Sequence, residues 1–252
     1  MEPSFLALRE SLLPRMRETR LVGDNTRHSR KDNLQAIQRL IEGHWHYTFG
    51  IEGLRIGPPE EILRQISEIT GCSSDIHYEE GGGHISAEKA FGALLEAAGR
   101  LKECRGKVFL GTGHPGSLLD FYLKLQRVLE RNGLEIFVPL HGALDVHREV
   151  DSIEKVSVVE DRASILHSHE VEVGNVALGN SPDISLAFCD HAYAGACLNK
   201  KIPLIVIMDT NDPAFAVAKS QGMDLTIIPM DDNRPMNAYQ PALELLEAVL
   251  QG

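Results

Sequence analysis

Apolar positions recur at helical spacing over two early stretches, 4–18 and 30–42. Phe5, Leu8, Leu12 and Leu13 share one face of the first, and Leu34, Ile37, Leu40 and Ile41 one face of the second. Pro58–Pro59–Glu60–Glu61 opens a third helix that reaches about Thr70 and stops at Gly71. Ser86 caps a fourth, running to about Glu103 with Phe91, Leu94, Leu95 and Ala98 on one face. From Lys107 the pattern changes to short continuous apolar runs at 107–110, 134–138, 184–188, 203–208 and 225–229. These alternate with helical stretches at 117–131, 192–199, 213–221 and 236–250. Short all-apolar strands alternating with helices predict a parallel sheet covered on both faces. Residues 146–150 and 156–159 read as a hairpin around Asp151–Ser152, and 163–166 as a further strand. The pattern as a whole predicts an α/β protein with a three-layer, mainly parallel, doubly wound (Rossmann-like) sheet. A helical N-terminal part over 1–83 packs on an α/β core over 84–252, which carries a β-hairpin insertion.

The segments between these elements add detail. The connector 19–31 is polar and rich in cations, a solvated loop or an arm that brings Arg20, Arg27 or Arg30 over an anionic ligand. His44 and His46 alternate around Trp45 as they would on a strand or loop edge, where two solvent-facing histidines are expected in preference to a metal pair. Gly81–Gly82–Gly83 is the most flexible point of the sequence.

Charge and composition narrow the function classes. At 252 residues the chain can bury a full core. Its formal net charge of −11 argues against nucleic acid and anionic membranes as partners, and leaves any bound phosphate to local backbone and cations. No run approaches the ~18 apolar residues of a membrane span. Cys72, Cys104, Cys189 and Cys197 show no CxxC spacing and look like reduced thiols, and 1–4 does not start a signal peptide, so a cytoplasmic protein is expected. A homodimer is compatible with the sequence.

Ligands of open parallel sheets bind beyond the carboxyl ends of the strands, and there the chain delivers polar residues repeatedly. Thr112, Gly113, His114, Gly116 and Ser117 follow the first strand, and His141 the second. His167–Ser168–His169, Asp190–His191, Asp209–Thr210–Asn211–Asp212 and Asp231–Asp232–Asn233 follow the later ones. A glycine-rich turn entering a helix suits an anion, so Thr112, Gly113, Gly116, Ser117 and Asn211 are candidate phosphate ligands. Asp190 and Asp209 are candidates to hold a divalent metal (Mg²⁺, Mn²⁺ or Zn²⁺) or to orient water, with His167 and His169 as a candidate metal pair. His114 or His191 would supply the proton for a leaving alkoxide. Plainer roles compete: Asp212 before Pro213 has the pattern of a helix N-cap, and Ser117 with Asp120 that of a capping box. Gly111-x-Gly113-x-x-Gly116 also matches the dinucleotide fingerprint. Pro115 removes one backbone donor from it, and 134–138 ends without a ribose-binding acid.

Five motifs occur in order: 19–24 (TRLVGD), 111–115 (GTGHP), 166–169 (LHSH), 190–196 (DHAYAGA) and 209–213 (DTNDP). In these the chain resembles, from about residue 19 onward, a family of bacterial cytoplasmic proteins known simply as phosphatases. It departs from that pattern at Tyr193, where a glycine–tryptophan pair is expected. The resemblance implies a phosphatase and assigns no residue a role. With the residue pattern it points to hydrolysis of a small phosphate ester, with metal assistance. The competing expectations are an NAD(P)-dependent oxidoreductase and a non-catalytic sugar-phosphate- or nucleotide-binding protein.

Overall fold

The computed structural model of the chain describes residues 3–24, 27–81, 83–180 and 183–252. Asn25, Thr26 and Gly82, which belong to the cation-rich connector and the glycine triplet, lie outside the described residues, as does the side chain of Phe5. Among the described residues, five helices precede the first strand: α1 (Pro3–Glu18), α2 (Arg30–Ile41), α3 (Trp45–Thr48), α4 (Pro59–Thr70) and α5 (Ala87–Glu103). Their ends follow from local chemistry. Ser29 and Asp32 form a reciprocal capping box on α2. Pro59 with Glu60 and Glu61 starts α4, and Gly71 ends it at φ +81°. Ser86 caps α5 by accepting the Lys89 N–H.

The remainder alternates: β1 (Lys107–Gly111), α6 (Pro115–Arg131), β2 (Gly142–Ala143), β3 (Glu149–Ile153), β4 (Val156–Glu160), β5 (Ile165–Leu166), α7 (Val171–Leu178), β6 (Ile184–Cys189), α8 (His191–Asn199), β7 (Leu204–Met208), α9 (Pro213–Ser220) and β8 (Leu225–Pro229). A 3-10 turn (Met236–Tyr239) then leads into α10 (Gln240–Gln251). The sheet has eight strands in the order β2-β3-β4-β1-β6-β7-β8, with β5 on β4. The run β4-β1-β6-β7-β8 is parallel throughout. Side-chain alternation builds the three layers. Val108, Leu110, Ile205 and Ile207 face a core shared with α1, α5, α6 and α10. Phe109, Leu204, Val206 and Met208 face a second core shared with α2, α4, α7, α8 and α9.

Several elements differ from the sequence reading. The expected strand 134–138 is reduced to one parallel bridge, Ile136 to Val108, because β4 takes over that side of β1 from Leu110 onward. The hairpin turns at Glu154–Lys155, not at Asp151–Ser152, with Ile153 opposite Val156 and Glu154 at φ +54°. It is not an appendage, since β4 is the parallel neighbour of β1. Helix α7 lies in a stretch with no helix expected. Its Gly174 lies where a Cβ would sit 2.5 Å from that of Ala196, so a glycine lets α7 press onto α8. His44–Tyr47 is not an extended edge but the N-cap and first residues of a helical turn. Helix α6 starts at Pro115 with His114 as N-cap, so Ser117 lies inside its first turn and caps nothing.

Candidate active site

Strand order reverses between β1 and β6. From β1 the chain passes through α6 toward β4; from β6 it passes through α8 toward β7 on the other side. Helices α6 and α8 cover opposite faces, so the carboxyl ends of β1 and β6 border an open crevice. Asp190 sits at its base, fully buried. Its Oδ1 accepts the Gly113 N–H at 2.7 Å and lies 2.9 Å from Nδ1 of His191. The Thr112 and Tyr122 hydroxyls face the same carboxyl, which burial nonetheless holds above the ordinary carboxylate range. A Cβ on Gly113 would lie 2.4 Å from the Ser168 carbonyl oxygen and 2.8 Å from the His191 Cβ. The Ser168 N–H donates to the Gly113 carbonyl at 2.9 Å. Close approach of the turn to the 167–169 segment and to α8 thus accounts for a glycine at the middle position of the dinucleotide-like spacing.

Five histidines converge over this base. The carbonyl of His46 accepts from Nδ1 of His169 at 2.8 Å, which leaves Nε2 of the neutral ring with a lone pair. That Nε2 is 2.9 Å from Nε2 of His167. The His46 ring stacks on His169 at 3.6 Å, and His114 lies 4.5 Å from His167 and 5.3 Å from His191 between ring centroids. Nε2 of His191 is 3.3 Å from Oδ2 of Asp232. His191 opens α8 at φ +42°, a left-handed conformation that aims its ring between these two carboxylates. Burial lowers these rings, and neighbouring histidines add to it at His167, His169 and His191: His114 falls below the usual imidazole range, His169 and His191 well below it, and His167 drops to about 4. They are neutral, the form that ligates metals.

Opposite them is a wall of buried acids. Asp209 ends β7, Asp212 opens α9, and Asp231 and Asp232 follow β8; none is more than 2% exposed. Asp212 occupies the N-cap position without capping: its side chain makes no bond to the helix and accepts the Asp209 N–H at 3.2 Å. Burial raises Asp212 to about 7, and burial with mutual repulsion holds Asp209 and Asp232 well above the carboxylate range. Asp209 Oδ2, His114 Nδ1 and Asn211 Oδ1 are buried without a hydrogen-bond partner. Among the described residues, ligand atoms come within 4.8 Å of one another in three sets: His167, His169 and His191; His191, Asp212 and Asp232; and Asp209, Asp231 and Asp232. Neutral imidazoles facing crowded carboxylates, with lone pairs unused, form a donor set that suits divalent cations.

A cavity of about 370 Å³ opens onto this constellation. Among the described residues its lining holds His114, His167, His169, His191 and Asn211 together with His28, His46, Asp212, Asp232 and Asn233, and no lysine or arginine. Of the other expected site residues, Asp190 lies behind His191, and Asp209 in the acidic set. Gly116 is exposed and does not line the cavity, and the Ser117 N–H donates to the His114 carbonyl at 3.2 Å. The Thr112 Oγ1 accepts the His114 N–H at 3.0 Å. His46, Asp212, Asp231 and Asp232 had not been assigned site roles. Asp231–Asp232 carried a visible signal, two acids directly after a buried strand; Asp212 was hidden behind its cap position, and His46 comes from a remote turn.

Comparison with known proteins identifies the family. A family model described as Phosphatase matches residues 7–251. A protein named as a phosphatase from Streptomyces coelicolor is 31% identical over 253 residues, covering 94% of this chain and 95% of the relative. No solved structure was found to match the chain. With a match that runs through every strand and helix bordering the cavity, the chain belongs to the Phosphatase family.

Proposed function

We propose that this chain hydrolyses small phosphate monoesters in the cavity at the β1/β6 crevice, with the help of a divalent cation. One observation carries the reading most: neutral histidines and buried aspartates with unused lone pairs meet in a single cavity, in a member of the Phosphatase family. A cavity of about 370 Å³ has room for a small ester. His167, His169 and His191, with Asp212 and Asp232, would hold the cation. When bound, it supplies Lewis-acid polarisation of a phosphoryl oxygen and the positive charge that an acidic chain otherwise lacks there.

The side chains then divide the work. Asp190 accepts from Nδ1 of His191, which fixes the tautomer and points the other ring nitrogen into the cavity. The 111–117 turn serves Asp190 through the Gly113 N–H, so we assign it the placement of that carboxylate in preference to direct phosphate binding. Among the described residues of the lining, the Asn211 side-chain amide is a donor for a phosphoryl oxygen, whereas that of Asn233 is given to Asp232. Burial keeps His114 deprotonated, which suits the acceptance of a proton from attacking water better than the donation of one to the leaving group. The water oxygen bonds to phosphorus as the ester P–O bond breaks, and the alkoxide takes its proton from solvent at the cavity mouth. The test is phosphate release from a panel of monoesters with Mg²⁺, Mn²⁺ or Zn²⁺. Activity is expected with at least one cation, with kcat falling roughly 10²- to 10⁴-fold in His114→Ala. Release of no phosphate with any of the three cations would overturn the reading.

A further inference from the structure

Of the acidic set Asp209, Asp231 and Asp232, only Asp232 enters the hydrolytic scheme, which needs one cation, yet the other two members are the most deeply buried part of the wall. Asp209 and Asp231 are 0% exposed and Asp232 2%. The protein satisfies most of its oxygens. Asp231 accepts the Arg27 and Asn233 N–H groups at 2.7 and 2.8 Å, Asp232 Oδ1 the Asn233 side-chain amide at 3.1 Å, and Asp209 Oδ1 the Thr210 N–H at 2.6 Å. Asp209 Oδ2 is left buried with no hydrogen-bond partner. Among the described residues, Arg234 Nε stands 3.9 Å from Asp231, and His28 Nε2, on a ring that burial lowers below the usual imidazole range, 4.0 Å from Asp209. Three carboxylates whose ligand atoms lie within 4.8 Å repel strongly in a dry interior unless positive charge sits among them.

We infer that the site holds two divalent cations side by side. One lies at the nitrogen-rich end formed by His167, His169 and His191, the other at the oxygen-only end formed by Asp209, Asp231 and Asp232, and Asp232 bridges them. Asp232 is the bridge because one carboxylate offers two oxygens, and its Oδ2 is 3.3 Å from Nε2 of His191. His191 offers a single lone pair once Nδ1 is given to Asp190. The two ends differ in chemistry: imidazoles suit zinc or manganese, and an all-carboxylate position suits magnesium or manganese. Paired cations of this kind clamp the attacking and leaving oxygens of an in-line phosphoryl displacement. The inference rests on the proposed function for the first cation and adds the second.

Manganese fits both ends and serves as the probe. The full chain is stripped with chelator, reloaded with Mn²⁺ alone, desalted, and its metal counted by atomic emission while its electron paramagnetic resonance spectrum is recorded. About two manganese ions per chain with a spin-coupled spectrum are expected. Asp231→Asn and Asp209→Asn should each retain about one ion with an uncoupled spectrum, and His169→Ala should lose the other ion. Folding of each variant is checked by circular dichroism, and the wild-type count stands without them. One ion per wild-type chain, two uncoupled ions, or two ions retained in both folded Asp231→Asn and Asp209→Asn would overturn the inference. One ion with phosphate release leaves the proposed function intact; no phosphate release under any loading fails that function whatever the count.

Discussion

At His169 a single hydrogen bond decides what the ring can do. Its Nδ1 faces the His46 carbonyl at 2.8 Å, so Nε2 is the nitrogen left to face His167. The pair of histidines was legible in sequence as two residues on one side of an extended segment; the partner that orients one of them was not, because it lies 123 residues away. At Asp212 the aspartate-before-proline pattern places the residue at the helix start as expected, yet its carboxylate turns toward the Asp209 N–H and makes no cap bond. Its protonation yields a prediction. A group raised from 3.8 to about 7 stabilises the stripped fold at low pH and loses that contribution as pH rises through about 7. His167, lowered from 6.5 to about 4, works in the opposite sense, contributing above its ordinary value and losing it as pH falls toward 4. These offset in the stripped chain, whereas below about pH 7 a cation must displace the Asp212 proton, His167 being already neutral above about 4. The Mn²⁺-induced rise in Tm should therefore be larger at about pH 8 than at about pH 5.5, with protons released on binding at the lower pH. An equal rise at both values would contradict the assignment of Asp212 as a ligand.

Among the elements, the turn from β1 into α6 shows both the reach and the limit of sequence pattern. The strand, the turn and the helix were all expected, and α6 differs only in starting at Pro115. What the glycine spacing could not reveal was the object approached, a neighbouring loop and helix start 55 to 78 positions onward in the chain, residues Ser168 and His191. The two glycines that flank His114–Pro115 should behave oppositely. Gly113→Ala forces a Cβ against backbone 2.4 Å away and should cost about 1–3 kcal/mol of stability together with activity. Gly116→Ala meets nothing within 4 Å in the first turn of a helix and should be neutral or stabilising by up to about 1 kcal/mol. Thermal unfolding of the two variants checks this, and a Gly113→Ala protein as stable and active as wild type would contradict the packing argument. Elements set by tertiary pairing were the least legible. The 134–138 run is apolar enough for a strand, but β1 has only two sides, and β4 occupies the carboxyl end of the one it would need.

For the whole molecule, topology explains why residues so far apart in sequence meet. A parallel sheet wound in both directions has one crevice, and its strands deliver their following residues to the same edge. That gathering was foreseeable from strand alternation alone; which residues point inward depended on the register of β1, β6, β7 and β8 and on α3 bringing His46 across. Charge works at this scale too. A chain of net charge −11 whose cavity is walled by aspartates repels a phosphate ester until cations fill the site. Metal should therefore control substrate binding as well as chemistry. The most direct measurement is phosphate release from one monoester by the same preparation before chelation, after chelation, and after reloading with Mn²⁺. The cation-dependent account expects activity to vanish on chelation and return on reloading. Undiminished phosphate release by the fully stripped protein would contradict it.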